Sequence, residues 1–201
     1  MARYGFVVDL TTCVGCNACV AACTTENETP YWDGLYRTHV EDVSFGKFPD
    51  SGRAIIPRLC MHCENAACVR VCPTGASYTT ADGIVLVDPD KCMGCGYCIV
   101  ACPFGARYRY EQEAVNKATE IFGKEGGHQA PHVDKCTYCV HRVKQGREPA
   151  CVAVCPAHAR IFGDLDDPKS EVSKLVSSGK AQQIGDVGPE PKTYYVRQGG
   201  K

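Results

Sequence analysis

Short apolar runs separated by polar and cysteine-containing stretches set the pattern of this chain, and they predict β-strands. The runs lie at residues 4–10 (YGFVVDL), 84–87 (IVLV) and 160–162 (RIF), and each is too short for a packed helix. The pair Asp82-Gly83 is a turn signal directly before the second run. The pattern therefore predicts three short strands, and KTYYV near the C-terminus predicts a fourth.

Helical signals are equally brief. Four segments have the spacing C-x3-C, which is one helical turn, and three of them are followed at once by a proline that stops the helix: Pro73, Pro103 and Pro156. A longer helix is expected from residue 167 through 176, opening at Asp167-Pro168. Long loops account for most of the remaining chain, and such loops stay ordered only if metal ligation holds them.

The length of the chain indicates one or two small domains, and its sequence contains no catalytic motif. The chain has 201 residues and a formal charge of −1, which gives no nucleic-acid footprint. No Ser–His–Asp set, H-E-x-x-H or phosphate-binding loop occurs, so we assign no catalytic residue. No apolar run approaches the roughly 18 residues of a membrane span. The N-terminus MARYGFVVDLTTC has neither a secretory signal nor a twin arginine. We expect no nucleic acid contact and no direct membrane span.

Sixteen cysteines change the picture most, because they fall into four groups of four. Every group ends with C-x3-C, and the flanks repeat too: FVVDLTTCVGC is similar to VLVDPDKCMGC, and PTGASY, PFGARY and PAHARI share an alanine at one offset. One small unit is therefore used several times. Quartets one to four are Cys13, Cys16, Cys19 and Cys23; Cys60, Cys63, Cys68 and Cys72; Cys92, Cys95, Cys98 and Cys102; and Cys136, Cys139, Cys151 and Cys155.

Three chemistries compete for these thiols. A disulfide scaffold needs an exported chain, and no export signal precedes the first strand. Structural zinc sites use separated C-x2-C pairs, a form that only quartet four has when taken alone. Quartet three has the bacterial ferredoxin spacing C-x2-C-x2-C-x3-C-P, in which three thiols hold one [4Fe–4S] cluster and the fourth ligates its neighbour. The spacing favours iron–sulfur clusters, and a zinc-stapled interaction module is the alternative from another class.

The order of the quartets predicts which ones share clusters. Only the hairpin-like PTGASYTTADGIVLVDPDK separates quartets two and three, so they form one two-cluster unit and leave quartets one and four to meet. Sequential pairing of one with two and three with four is the alternative. The nested pattern predicts four [4Fe–4S] clusters at four sites: site 1 (Cys13, Cys16, Cys19, Cys155), site 2 (Cys23, Cys136, Cys139, Cys151), site 3 (Cys60, Cys63, Cys68, Cys102) and site 4 (Cys72, Cys92, Cys95, Cys98).

This nesting predicts an α+β fold of two bacterial-ferredoxin-like modules with long loops. The outer module comprises residues 1–50 and 111–165 and contains quartets one and four. The inner module comprises residues 51–110 and contains quartets two and three. Residues 166–201 form a C-terminal extension that we expect to dock on a partner subunit, because a free ferredoxin has little use for it.

Charged residues beside the motifs are candidates for tuning the clusters. Sixteen thiolates with four oxidised cores would add about −8 to the formal charge. Five cations either offset this charge or are ordinary solvated side chains: Lys91, Lys135, Arg70, Arg107 and Arg109. His62, inside a C-x2-C, either donates a hydrogen bond to its cluster or is a partly exposed histidine without such a role.

With these motifs the chain resembles the four-cluster electron-transfer (beta) subunits of the molybdopterin oxidoreductase family, which includes polysulfide, thiosulfate, tetrathionate, dimethyl sulfoxide and arsenate reductases. The stretches that carry the resemblance cover nearly all of the chain: DLTTCVGCNACVAACTTEN, CMHCENAACVRVCPTGASY, DGIVLVDPDKCMGCGYCIVACPFGARY and KCTYCVHRVKQGREPACVAVCPAHARIFGDLDDP. Some relatives replace a thiol of the third quartet and hold a [3Fe–4S] cluster. Because Cys95 is present here, the resemblance implies four [4Fe–4S] centres.

The resemblance also implies partners and a place in the cell. Such a subunit relays electrons between a catalytic subunit with a molybdopterin cofactor and a polytopic, quinol-oxidising membrane anchor; site 1 would face the catalytic subunit and site 4 the membrane end. It implies a place on the periplasmic face of the cytoplasmic membrane, reached folded with an exported partner, with the cytoplasm as the alternative. The same cluster chemistry also fits a soluble polyferredoxin or the electron-transfer partner of a formate dehydrogenase or hydrogenase.

Overall fold

The computed structural model describes residues 2–30, 34–123, 132–184 and 188–197. Its strands are β1 (Tyr4–Asp9), β2 (Thr38–Lys47), β3 (Asp50–Leu59), β4 (Ser77–Thr79), β5 (Val85–Val87), β6 (Tyr108–Arg109), β7 (Val133–Asp134), β8 (Arg160–Asp164), β9 (Ala181–Gln183) and β10 (Thr193–Val196). Its helices are α1 (Ala18–Asn27), α2 (Ala67–Arg70), α3 (Tyr97–Val100), α4 (Gln112–Phe122), α5 (Val140–Val143), α6 (Ala150–Ala153) and α7 (Glu171–Ser177).

The largest sheet joins the two ends of the chain. Its strand order is β8-β1-β10-β9, in which β1 runs antiparallel to β8 and parallel to β10. Both faces of β1 are covered, because Phe6, Val7 and Val8 are all fully buried. Val7 packs on the side of α7, and Phe6 and Val8 pack on the side of the cysteine sites. The predicted strands near residues 4–10, 84–87, 160–162 and 192–196 are confirmed.

Single helical turns carry the C-x3-C segments, as the spacing predicts. The helices α2, α3 and α6 have four residues each, and a proline stands directly after the last cysteine of each segment. Helix α1 continues for 10 residues to Asn27, because Thr24 takes the place of that proline. The helix expected from residue 167 begins later, at Glu171. Asp167 instead forms a turn whose side chain accepts a hydrogen bond from the amide of Lys169.

The C-terminal extension is part of the main sheet. Strand β10 lies between β1 and β9, and Tyr195 is fully buried, with its hydroxyl donating to the carbonyl of Pro57 at 3.1 Å. Val172 of α7 is also fully buried against Val7. The described part of residues 166–201 therefore completes the main sheet, whereas the sequence predicts an extension that is separate from both modules. Docking on a partner stays a prediction.

Strand pairing also crosses the predicted module boundaries. Strands β2 and β3 form one long hairpin, whose pairs run from Thr38–Leu59 to Lys47–Asp50, so a boundary between residues 50 and 51 divides a single unit. Strand β6 pairs with β7 and ties residues 108–109 to residues 133–134. Helix α4 occupies residues for which the sequence predicts a loop; it buries Ala114, Val115 and Ala118 and leaves its other side polar. No helix among the described residues is long and apolar enough to cross a membrane.

Candidate metal centres

The thiols predicted for site 1 line one cavity. Cys13, Cys16, Cys19 and Cys155 surround a space of about 340 Å³, measured with its open mouth. The loop before α1 and the turn after α6 bring them together. Gly15 has φ +71°, so the loop needs glycine for its conformation, and a Cβ there would also lie in tight contact, 3.1 Å, with the Ile55 side chain.

The thiols predicted for site 2 line a second cavity. Cys23, Cys136, Cys139 and Cys151 are all buried around a space of about 300 Å³. Helix α1 supplies Cys23 and helix α6 supplies Cys151. Burial, reinforced by neighbouring cysteines, raises the pKa of Cys136 to about 12 and that of Cys151 to about 11.

The thiols predicted for site 3 line a third cavity, of about 360 Å³, which is similar in size to the other two. Cys60 follows β3, Cys68 is on α2, and Cys102 follows α3. Burial raises the pKa of Cys63 to about 12, and the other three cysteines of the set add to this shift. The structure therefore brings each of three predicted sets around a common space, although the sets join residues far apart in the sequence.

Of the thiols predicted for site 4, Cys98 is on α3 and Cys72 follows α2, and these two helices contact each other. Cys98 is buried and Cys95 is exposed. Backbone amides donate to two of these sulfurs, from Val133 to Cys92 at 3.4 Å and from Ser77 to Cys72 at 3.3 Å. The pKa of Cys72 falls to about 7: burial raises it, but hydrogen bonds from Ser77 and Thr74 outweigh burial. Hydrogen bonds from amides to sulfur favour the thiolate, which is the form that ligates metal.

The donor set fits an iron–sulfur group. All sixteen cysteines lie within the described residues and are free thiols, so the disulfide scaffold is wrong. Sites 1–3 each bring four thiols around one cavity, which is the donor set of a [4Fe–4S] cluster and also that of a structural zinc ion. Within the described part of the chain, no group of three His, Cys, Asp or Glu side chains is arranged to hold a single metal ion. Which sulfurs ligate which cluster stays a prediction.

Asn27 is a residue of site 2 that the sequence motifs do not reveal. Its Nδ2 lies 3.6 Å from the sulfur of Cys23 and 3.8 Å from that of Cys139. Arg37 donates to Asn27 Oδ1 at 2.8 Å, which fixes the amide with its NH2 group toward the sulfurs. Arg37 is held in turn by Asp134 at 2.9 Å. The available signal was the four-residue spacing between Cys23 and Asn27, which places both on one face of α1.

The candidate cations divide into buried and exposed residues. Arg107 and Lys135 are buried, with 3% and 1% of their surface exposed. The other three, Lys91, Arg70 and Arg109, are exposed. A further buried cation, Arg160, also 3% exposed, lines the cavity of site 1 and was not singled out from the sequence.

His62 is fully buried rather than partly exposed. Its ring stacks on Tyr138 with 3.6 Å between centroids, and its Nδ1 accepts a hydrogen bond from the amide of Val85 at 3.1 Å. Burial holds the pKa of His62 well below its usual value, and nearby cations, Lys135 first among them, add to the decrease. The side chain lines the cavity of site 3, but no hydrogen bond from it to a sulfur is present.

Comparison with known proteins agrees with this chemistry. Two family profiles, both described as 4Fe-4S dicluster domain, match residues 12–76 and 53–165. The arsenate respiratory reductase iron-sulfur subunit ArrB of Shewanella sp. is 38% identical over 98% of this chain and 97% of its own length. The B subunit of sulfite dehydrogenase from Allochromatium vinosum is 39% identical, over 98% and 83%. The B chain of polysulfide reductase from Wolinella succinogenes is 41% identical, over 96% and 94%. The chain therefore belongs to the 4Fe-4S dicluster family of non-catalytic, iron–sulfur electron-transfer subunits.

Proposed function

We propose that this chain holds four [4Fe–4S] clusters in a row and relays single electrons between a quinol-oxidising membrane anchor and a molybdopterin catalytic subunit. The order of the four sites carries the proposal. Cys151 of site 2 lies close enough to Cys19 of site 1 for their charges to interact. Cys136 of site 2 interacts in the same way with Cys60 of site 3. Arg107 links site 3 to site 4 through the charges of Cys68 and Cys98.

The two ends of this row reach the surface. Of the sixteen cysteines only Cys16 and Cys95 are exposed, and they belong to sites 1 and 4. Exposed apolar side chains neighbour the cysteines of both ends in the sequence: Val14 at site 1, and Met93, Tyr97 and Val100 at site 4, the last with 89% of its surface exposed. Apolar patches next to an exposed end favour contact with partner subunits. A row with a buried middle and two open ends supports a relay better than a storage or structural role.

The protein's own contribution is positioning and exclusion of water. Bound clusters supply one-electron chemistry, with potentials set by hydrogen bonds to sulfur, burial and nearby charge. The backbone amides of Ala159 and Ser77 donate to Cys155 and Cys72, and Tyr138 closes the wall of site 2. None of these groups forms a bond to substrate, so the chain needs no acid, base or nucleophile.

The relatives support the identity of the partners. Proteins named as the iron-sulfur subunit of an arsenate respiratory reductase and as the B chain of a polysulfide reductase match this chain over almost its whole length. We infer that this chain likewise pairs with a catalytic subunit, at site 1, and with a membrane anchor, at site 4. We further propose that the complex lies on the periplasmic face of the cytoplasmic membrane, with this chain exported folded alongside its partner.

Metal and sulfide analysis of the anaerobically purified chain tests the cluster content. We expect sixteen irons and sixteen acid-labile sulfides per chain. Four zinc ions and no sulfide would establish the zinc-stapled module instead. Cell fractionation tests the location, and recovery of the chain free in the cytoplasm would overturn the periplasmic proposal.

Turnover of the purified complex tests the relay. Cys95→Ser alters a ligand of site 4 and is expected to slow quinol-driven turnover while an artificial donor still supports the catalytic subunit. Ser51→Ala, an exposed change at the tip of the β2–β3 hairpin, is the matched control. Equal quinol-driven rates in Cys95→Ser and the control would refute the role of site 4.

A further inference from the structure

Two buried arginines occupy the same place in the repeated unit. Arg107 and Arg160 each stand five residues after the last cysteine of a quartet, in CPFGAR and CPAHAR. Both are only 3% exposed. Among the described residues neither forms an ion pair with a carboxylate. A buried charge without a counter-ion is strongly unfavourable, so these two positions require a negative partner.

Arg107 lies between sites 3 and 4. It lines the cavity of site 3, and its Nη1 donates to Ser77 Oγ at 2.8 Å. The amide of Ser77 donates to Cys72, which belongs to site 4. Two further nitrogens, Nε and Nη2, are buried without a hydrogen-bond partner. Burial lowers the pKa of Arg107, but the charges of Cys68, Cys60 and Cys98 outweigh burial, and the net shift is upward.

Arg160 lies in the same way between sites 1 and 2. It lines the cavity of site 1, and its Nη2 donates at 2.8 Å to Thr38 Oγ1, on the wall of site 2. Its guanidinium carbon lies 5.9 Å from the ring centre of Phe6, another wall residue of site 2. Nη1 is buried without a partner. Burial lowers the pKa of Arg160, and the charges of Cys151 and Cys19 raise it above its usual value.

We propose that Arg107 and Arg160 are counter-ions, each shared by two neighbouring cluster sites, so that one side chain sets the reduction potentials of both clusters. The proposal rests on the proposed function, because the negative partners are the thiolate-ligated clusters. Each reduction adds one negative charge, and a fixed cation at the junction favours that charge on either side. Loss of the single arginine at a junction therefore lowers the reduction potentials of both neighbouring clusters together.

A third buried cation, Lys135, lies at the remaining junction, between sites 2 and 3, and an exposed lysine has the same place in the repeat. Lys135 is buried between Cys136 of site 2 and Cys60 of site 3, and it donates to the carbonyl of Cys136. Lys91 has the same place in the repeat, directly before the first cysteine of its quartet, but it is exposed and paired with Asp88. Solvent screens an exposed charge, so Lys91 is the natural control for the loss of a positive charge beside a cysteine.

The test is an EPR-monitored redox titration of the anaerobically purified full chain. In Arg107→Gln we expect two of the four midpoint potentials to fall, each by at least a tenfold change in the reduction equilibrium, or about 59 mV for one electron. In Arg160→Gln we expect the other two to fall by a similar amount. Lys91→Gln is expected to move no midpoint by as much as threefold. Arg107→Lys, which keeps the charge, is expected to retain all four wild-type potentials.

Each outcome decides the question. A shift of a single midpoint in Arg107→Gln would make this residue a local hydrogen-bond donor and would overturn the sharing, as would no shift at all. If Arg107→Gln fails to bind clusters, Arg107→Lys decides, because a tenfold fall in that variant contradicts a role for charge. Wild-type protein without four cluster signals and without acid-labile sulfide would defeat the proposed function, a result distinguishable from unchanged potentials in a fully loaded chain.

Discussion

Asn27 gives the sharpest prediction about a single site. Its NH2 group donates to the backbone carbonyl of Cys23 at 2.8 Å and also lies near two sulfurs of site 2, and the orientation is fixed because Arg37 donates to its carbonyl oxygen. Replacing Asn27 by Leu removes all of these hydrogen bonds, the two contacts to sulfur among them, and keeps the approximate size of the side chain. Loss of donors to sulfur disfavours the more negative, reduced state, so the midpoint potential of the cluster at site 2 is expected to fall.

The size of the fall follows from the contact distances. The two contacts are long, at 3.6 and 3.8 Å, so together they are assigned about 1.5 kcal/mol, the lower end for a hydrogen bond to a charged group. Reduction takes the charge of the site from about −2 to about −3, which increases the attraction by half, or about 0.7 kcal/mol. Since about 1.4 kcal/mol corresponds to about 59 mV for one electron, Asn27→Leu is expected to lower the potential by about 30 mV.

Potentiometric EPR of the variant and of a matched substitution tests this reasoning. Asn27→Asp keeps an oxygen for Arg37 and replaces the donor with a negative charge, so its potential should fall further than that of Asn27→Leu. The potentials therefore decrease in the order wild type, Asn27→Leu, Asn27→Asp, while the remaining three midpoints stay in place. An unchanged potential at site 2 in Asn27→Asp would refute the role of the amide.

Further predictions concern stability and metal content. Tyr195→Ala empties a fully buried position of the outer sheet and is expected to destabilise the isolated chain by about 3–5 kcal/mol. Tyr195→Phe loses one hydrogen bond, to Pro57, and is expected to destabilise the chain by about 1 kcal/mol. Both effects are measured as a decrease in the guanidinium concentration that bleaches half of the clusters under nitrogen. Wild-type guanidinium concentrations in both variants would contradict the structural role of the extension. Hydrogen bonding to His141 and the charge of Arg142 lower the pKa of Glu26 in the folded chain. The contribution of this carboxylate to the free energy of unfolding is therefore fully present above pH 4.5, the ordinary pKa of glutamate. It is lost as the pH falls through the lower pKa of the folded chain. The stability difference between wild type and Glu26→Gln should therefore shrink in acid, and a difference that is constant with pH would contradict this contribution. Anaerobic removal of iron should abolish hydrogen-exchange protection in α2, α3 and α6 before α7, because four-residue helices are unstable without a bound group; protection unchanged in all four would show that ligation does not hold them.

The local sequence pattern was sufficient to predict the strands, helical turns and thiol groups whose residues recur at fixed spacings. The apolar run around Phe6 predicts β1, and the prolines after three C-x3-C segments predict where α2, α3 and α6 end. Spacing also grouped the thiols, and three of the predicted sets surround a common cavity. These features are visible because strand alternation, helical turns and metal ligation each impose a fixed period on the sequence.

Features that depend on tertiary packing were not predictable in the same way. The β2–β3 hairpin is exposed along most of β2 and at the start of β3, so its sequence lacks the apolar alternation that signals a half-buried strand. Lys135 is buried and Lys91 is exposed, although both directly precede the first cysteine of a quartet. Asn27 acts through an orientation fixed by Arg37, which is distant from the cysteine motifs. Arg160 had a stronger sequence signal, its match to Arg107 in the repeat.

The position of β1 in the middle of the main sheet has a consequence for biosynthesis. Both neighbours of this first strand, β8 and β10, are made last, so the N-terminal segment leaves the ribosome with its two edges unpaired. Domains usually fold as units during synthesis, N-terminal part first. Strand β1 therefore stays unpaired until β8 and β10 have been synthesised, and a chaperone or iron–sulfur donor that meets the nascent chain before then would encounter an open, apolar strand.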